Sequence, residues 1–210
     1  RTDAGVHAKT FVCHFDLPRP FPLDKLPLAL NAHLPDSIGI LSAEPTDDSF
    51  HARFSCKGKT YRYLIYNARL RDPFLEKRAY FYPIPLNAER MNELAAAYVG
   101  EKDFASFMAA GSTVQDTVRK MEACSVTRKG DLIEFSVTGN GFLYNMARAM
   151  AGTVVYAAEG KIKPEEIGAI LEAGNRTAAG PTVPPGGLYM THLWYDDGNE
   201  KFEVANPITF

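Results

Sequence analysis

The sequence is poor in cysteine. Cys13, Cys56 and Cys124 are the only three in 210 residues. They are odd in number and far apart, with no C-x-x-C pair, so neither a disulfide framework nor a zinc knuckle fits, and they read as reduced, mostly buried thiols. No apolar run approaches the roughly 18 residues of a membrane span. Nothing resembles a cleavable signal, so a cytoplasmic protein with no membrane partner is expected. The five histidines, His7, His14, His33, His51 and His192, lack metal-ligand spacing, and no metal site is expected. The motifs G-x-x-x-x-G-K-[ST], G-x-G-x-x-G between strand and helix, and G-x-S-x-G are all missing, which removes support from nucleotide-cofactor and serine-hydrolase chemistry. No cofactor is expected.

A surplus of positive charge is also lacking: 23 Lys and Arg face 25 Asp and Glu, a formal net charge of -2. A non-specific nucleic-acid binder is usually more basic, because neutralising phosphates dominates its affinity. Cations nevertheless run together locally. Arg53, Lys57, Lys59 and Arg62 form one cluster, Arg69, Arg71, Lys77 and Arg78 a second, and Arg119, Lys120, Arg128 and Lys129 a third. Any one of these is what a solvated strand end carries, but three together point towards an anionic polymer. The 46% of hydrophobic residues supplies a core for one large or two small domains.

Periodicity gives the order of elements. Alternation in "KTFVCHFDL" (9–17) predicts a strand, leucines at helical spacing in "PLDKLPLALNAHLP" (22–35) a helix, and "SIGILSAEP" (37–45) another strand. "KGKTYRYLIYN" (57–67) alternates, with Tyr61, Tyr63 and Ile65 on one face. A helix follows in "NAERMNELAAAYVG" (87–100), then strands in "VRKMEACSVTRK" and "LIEFSVTGNG" about the turn Lys129-Gly130-Asp131. Helices in "FLYNMARAMAGTVVYAAEG" and "KPEEIGAILEAG" and a strand in "GLYMTHLWYD" complete the chain. From Tyr61 onward this is the split βαβ order of ferredoxin-like domains. The opening segment looks like an incomplete version of it.

Two stretches carry candidate chemistry. "RTDAGVHA" opens the chain with Arg1, Asp3 and His7 around Gly5, which permits a turn. In the helix at 142–160, Leu143, Met146, Met150 and Val154 form a buried stripe, while Arg148 puts a guanidinium into an otherwise neutral helix. Such a cation needs a carboxylate or phosphate unless it snorkels to the surface. Tyr61, Tyr63 and Tyr66 serve either as cross-strand packing or as a stacking surface for a base.

The succession "RTDAGVHA", "LNAHLPDSIGI", "FHARFSCKGKTYRYLIYN", "DFASF", "FLYNMARAMAG" and "GPTVPPGGLYMTHLWYD" resembles, in order and up to residue 195, the successive blocks of the TruA family of tRNA pseudouridine synthases. That resemblance implies two ferredoxin-like antiparallel-sheet domains in an α+β fold, the first incomplete: residues 1–58 as the remainder of an N-terminal domain, 59–198 as the C-terminal domain and 199–210 as a tail. It implies Asp3 as catalytic nucleophile, Arg148 as its ion-pair partner, Tyr61 against the target uracil, and Arg1, Thr2, His7 and Leu188 as further substrate-binding residues. Arg53, Lys57, Lys59 and Arg62 would track the RNA backbone. The implied reaction isomerises uridine to pseudouridine at positions 38, 39 or 40 of the tRNA anticodon arm, without cofactor and in a homodimer. Attack of Asp3 on the sugar and assisted elimination to a glycal both remain open. A non-catalytic RNA-binding module is the alternative, although it needs neither Asp3 nor Arg148. The sequence departs from the family in three ways: the signature lacks its usual preceding Gly, Ala147 stands where Val is usual, and the strand and helix that precede the signature are absent, so an amino-terminally shortened form is expected.

Overall fold

The computed structural model describes residues 2–163 and 165–195. In chain order its elements are β1 (His7–Ala8), α1 (Leu26–Asn31), β2 (Gly58–Tyr66), β3 (Tyr80–Phe81), α2 (Ala88–Ala95), β4 (Gly100–Asp103), β5 (Val118–Lys129), β6 (Leu132–Gly139), α3 (Met146–Ala158), α4 (Glu166–Ala173) and β7 (Leu188–Trp194). The seven strands make one mixed, mostly antiparallel sheet in the order β1-β7-β2-β6-β5-β4, with β3 beside the end of β2. The fold is therefore α+β.

The alternation of β2 explains its place at the centre. Tyr61, Tyr63 and Ile65 stand opposite Val137, Phe135 and Ile133 of β6, and all six are buried. Each pair thus adds two apolar side chains to the same face. Helix α3 packs on this sheet and α2 packs on α3 and β5. The expected stripe of Leu143, Met146, Met150 and Val154 is buried. Burial in fact extends around α3, because Ala147, Ala149, Ala151 and Ala157 are small enough to admit neighbours on the other sides. The β5–β6 hairpin turns at Gly130, whose φ of +59 is left-handed.

The structure corrects several expectations. Residues 9–17 and 37–45 form no strand; β1 stops at Ala8, and Phe11, Phe15, Ile38 and Leu41 are exposed. Alternation alone does not make a strand, since a ladder needs a partner to accept its hydrogen bonds. The helix expected over 22–35 shortens to α1, six residues. Strands β3 and β4 were not expected, being too short to establish a period. The thiols are less buried than predicted: Cys13 is exposed and Cys56 and Cys124 half-buried, all three free. Arg1 and the tail at 199–210 lie outside the described residues.

Two compact units emerge, one comprising residues up to 11 and from 56 onward, the other residues 12–55. The first contains the entire sheet. The second contains α1 and a set of turns, in which the Asn31 amide exchanges two hydrogen bonds with the Ile40 backbone, at 2.9 and 2.7 Å.

Burial leaves a signature on titration. It pushes Tyr61 and Tyr189 up to about 12, and raises Tyr63, Tyr98 and the Cys124 thiol as well. Above about pH 10 an unfolded tyrosine releases its proton while these folded ones keep theirs. The native state then binds more protons than the unfolded state, and stability must fall as pH rises. Urea denaturation should give a lower unfolding free energy at pH 11 than at pH 8, by on the order of 1 kcal/mol for each of the buried Tyr61 and Tyr63. A flat profile over that range would contradict the burial described.

Candidate active site

The opening loop and the start of α3 meet at one ion pair. Gly5, at φ +79, lets residues 3–6 turn tightly, with the Val6 amide donating to the Asp3 carbonyl at 3.2 Å. Strand β1 then fixes the loop by pairing His7 and Ala8 with Tyr189 and Met190 of β7. Asp3 Oδ2 lies 3.6 Å from Arg148 Nη1, with the aspartate side chain 29% and the arginine side chain 13% exposed.

Arg148 is held more closely by neutral acceptors than by that carboxylate. Its Nε donates to the Val183 carbonyl and its Nη1 to Asn145 Oδ1, each at 2.7 Å. These bonds meet the demand of a mostly buried guanidinium for acceptors. They also aim the guanidinium, because its donors are fixed in one plane.

The Val183 carbonyl is itself held against α3. Thr153 Oγ1 donates to the Ala149 carbonyl and accepts from the Gly180 amide, both at 2.8 Å. Arg176 reaches the Gly180 carbonyl and Thr182 Oγ1, also at 2.8 Å, and burial holds its pKa below the ordinary range. Tyr63 donates to the Pro184 carbonyl at 2.8 Å. Residues 180–184 are thus fastened on both sides of the acceptor that Arg148 uses.

Tyr61 sits on the same sheet face, 8% exposed, its ring meeting Phe142 edge-on at 4.9 Å and 83°. Burial, then the negative charge of Asp3, raise its hydroxyl to about 12. Tyr61 is accordingly a neutral ring beside the carboxylate. Leu188 is buried at the start of β7, in register with Tyr63.

The structure thus pairs Asp3 with Arg148 and places the charge of Asp3 close enough to Tyr61 to act on its hydroxyl, and comparison with known proteins gives the family. Residues 94–196 match the family model described as tRNA pseudouridine synthase. The chain is 47% identical to the tRNA pseudouridine synthase A of Bacillus subtilis (strain 168) over 197 residues, 94% of this chain and 80% of the relative. The protein of that name from Bacillus pumilus (strain SAFR-032) gives the same figures, and that of Caldicellulosiruptor bescii is 43% identical over 195 residues, covering 93% and 80%. The chain belongs to the tRNA pseudouridine synthase family.

Within this family framework the other sequence-derived candidates fall in different places. Thr2 is half-buried beside Asp3 in sequence. His7 stacks on Tyr189 at 4.6 Å, and its Nε2 meets the Lys77 carbonyl at 2.7 Å, so that nitrogen is engaged with the loop. Arg1 lies outside the described residues. Lys57 is exposed and Lys59 half-buried. Arg62 alternates to the face opposite Tyr61 and pairs with Glu134 at 3.7 Å, its Nε buried without a hydrogen-bond partner. Arg53 is an exposed residue of the smaller unit, near the Phe54 ring. In the third basic cluster, Arg128 is spent on Asn67 Oδ1 and the Leu86 carbonyl, at 2.6 and 2.9 Å.

Sequence reasoning passed over Asn145, Phe142 and the Val183 acceptor. The loop "AAGPTVPPGG" was legible as a loop, but nothing in its residue types says which carbonyl faces a helix. Gly152 held a clue. A Cβ there would fall 2.0 Å from the Pro181 carbonyl oxygen, so only glycine lets the loop approach. Gly152→Ala should cost roughly 1–3 kcal/mol by overpacking. Gly168→Ala, on α4 with nothing within 4 Å of the added carbon, should be neutral or stabilise by roughly 0.5–1 kcal/mol. Urea midpoints of the two variants check this; equal effects would contradict the tight approach at Gly152.

Proposed function

We propose that the protein is an isomerase that converts uridine to pseudouridine within tRNA, with Asp3, Arg148 and Tyr61 as its central residues. The observation that carries this reading is the Asp3–Arg148 pair, whose carboxylate is near enough to Tyr61 to raise its hydroxyl. In the reaction the N1–C1′ glycosidic bond breaks, the uracil turns, and C5 bonds to C1′. C5 loses its proton and N1 gains one, so no oxidant or reductant is needed.

Asp3 supplies the carboxylate, either as nucleophile at C1′ or by assisting elimination to a glycal. Arg148 balances its charge and fixes its direction. Because a stacked uridine cannot rearrange, the nucleotide is extruded, and Tyr61 takes the uracil against its ring. Thr2, next to Asp3 in sequence, and Leu188, opposite Tyr63 on β7, are further substrate-binding residues; Lys57 and Lys59 are the members of the first basic cluster best suited to phosphates.

The finer parts of this proposal rest on the motif resemblance. They are action at positions 38, 39 or 40 of the anticodon arm, a homodimer whose two subunits build the tRNA surface, and a cytoplasmic site of action. A ferredoxin-like reading of residues 58–194 is supported by the order β7-β2-β6-β5 in the sheet.

The test is tritium release from C5-labelled uridine in unmodified tRNA. The protein should release tritium, and Asp3→Asn and Arg148→Leu should each lower the rate by about 10⁴-fold or more, the scale seen when a group acting on the reacting atoms is lost. Asp3→Asn turning over at the parent rate would overturn the mechanism. Binding of tRNA without release by the parent protein would favour the RNA-binding module.

A further inference from the structure

Asn145, immediately before α3, has φ 60 and ψ 9, and its side chain makes no hydrogen bond to the helix backbone. Both features are locally unfavourable. A residue with a Cβ avoids the left-handed region, although asparagine tolerates it better than most. An asparagine at a helix N-terminus normally accepts from an amide of the first turn. Its Oδ1 instead accepts from Arg148 Nη1 at 2.7 Å, the same nitrogen that faces Asp3 Oδ2 at 3.6 Å. Strained backbone that persists in a well-packed region commonly serves a site.

We infer that Asn145 is a positioning residue for the isomerisation: by holding Nη1 of Arg148 with a neutral oxygen, it presents the guanidinium to Asp3 in one orientation. The left-handed backbone follows from this role, because it turns the side chain back to Arg148, one helical turn on. The Val183 carbonyl holds Nε, so the guanidinium is fixed at two of its three nitrogens. Neither acceptor carries a formal charge, and Asp3 is left as the anion the guanidinium faces.

This inference rests on the proposed role of Arg148, and the experiment separates the two. Asn145→Gly and Asn145→Ala remove the same oxygen but differ in backbone cost, since glycine adopts φ 60 freely and alanine does not. A positioning role predicts that both lower the single-turnover rate of tritium release by about 10- to 100-fold, as for loss of a hydrogen bond to a charged group. KM for tRNA should stay unchanged. Thermal stability should diverge, with Gly at or above the parent Tm and Ala below it. A merely structural role predicts that activity follows Tm, so Asn145→Gly at the parent rate would overturn the inference. Arg148→Leu, assayed alongside, isolates the premise: if it retains activity, the reading of Arg148 fails, whereas if it is inactive and Asn145→Gly is fully active, only the role of Asn145 fails.

Discussion

A mostly buried guanidinium in a helix with no other charge is the constraint around which this molecule is arranged. Left unpaired, Arg148 would cost several kcal/mol, and α3, buried on nearly all sides, offers it little water. The fold meets the demand with the oxygens of Asn145 and Val183 and the Asp3 carboxylate. They come from the residue before α3, the loop before β7 and the loop before β1. One side chain therefore ties together segments nearly the whole length of the chain apart.

Packing around α3 makes that tie rigid. The small residues Ala149, Gly152 and Thr153 allow residues 180–184 to lie directly on the helix, where Thr153 bonds both its own helix and the Gly180 amide. Tyr63, fully buried on β2, secures the Pro184 carbonyl from the sheet side. Because β1 pairs with β7 just after this loop, the same structure that sets Arg148 also carries Asp3. Carboxylate and guanidinium are positioned through one scaffold, which is what preorganised charge stabilisation requires.

Much of this was legible in the sequence. The strands β2, β5, β6 and β7 and helix α3 announced themselves because a buried face imposes a period, and Arg148 stood out because a lone charge in such a face needs an explanation. Residues 9–17 carried the same alternation without becoming a strand, since pairing partners are not written in a local pattern. Strands β3 and β4 were too short to have one. Asn145 was hidden for a different reason. Its identity fits any turn before a helix, and only the backbone angle and the 2.7 Å contact reveal that the side chain points away from the helix amides. Basic clusters misled in part, because composition does not distinguish an exposed cation such as Lys57 from one spent internally, such as Arg128.

The central claim is that Arg148 works through its planar fork, held by two neutral acceptors and aimed at Asp3, and not through charge alone. Arg148→Lys keeps the charge but cannot reach three acceptors in those directions. Its single-turnover rate of tritium release from C5-labelled tRNA, measured with tRNA affinity and thermal stability, is the most direct test. The account predicts a rate reduced by at least about 100-fold with tRNA binding intact. A lysine variant that folds and reacts at the parent rate would contradict it.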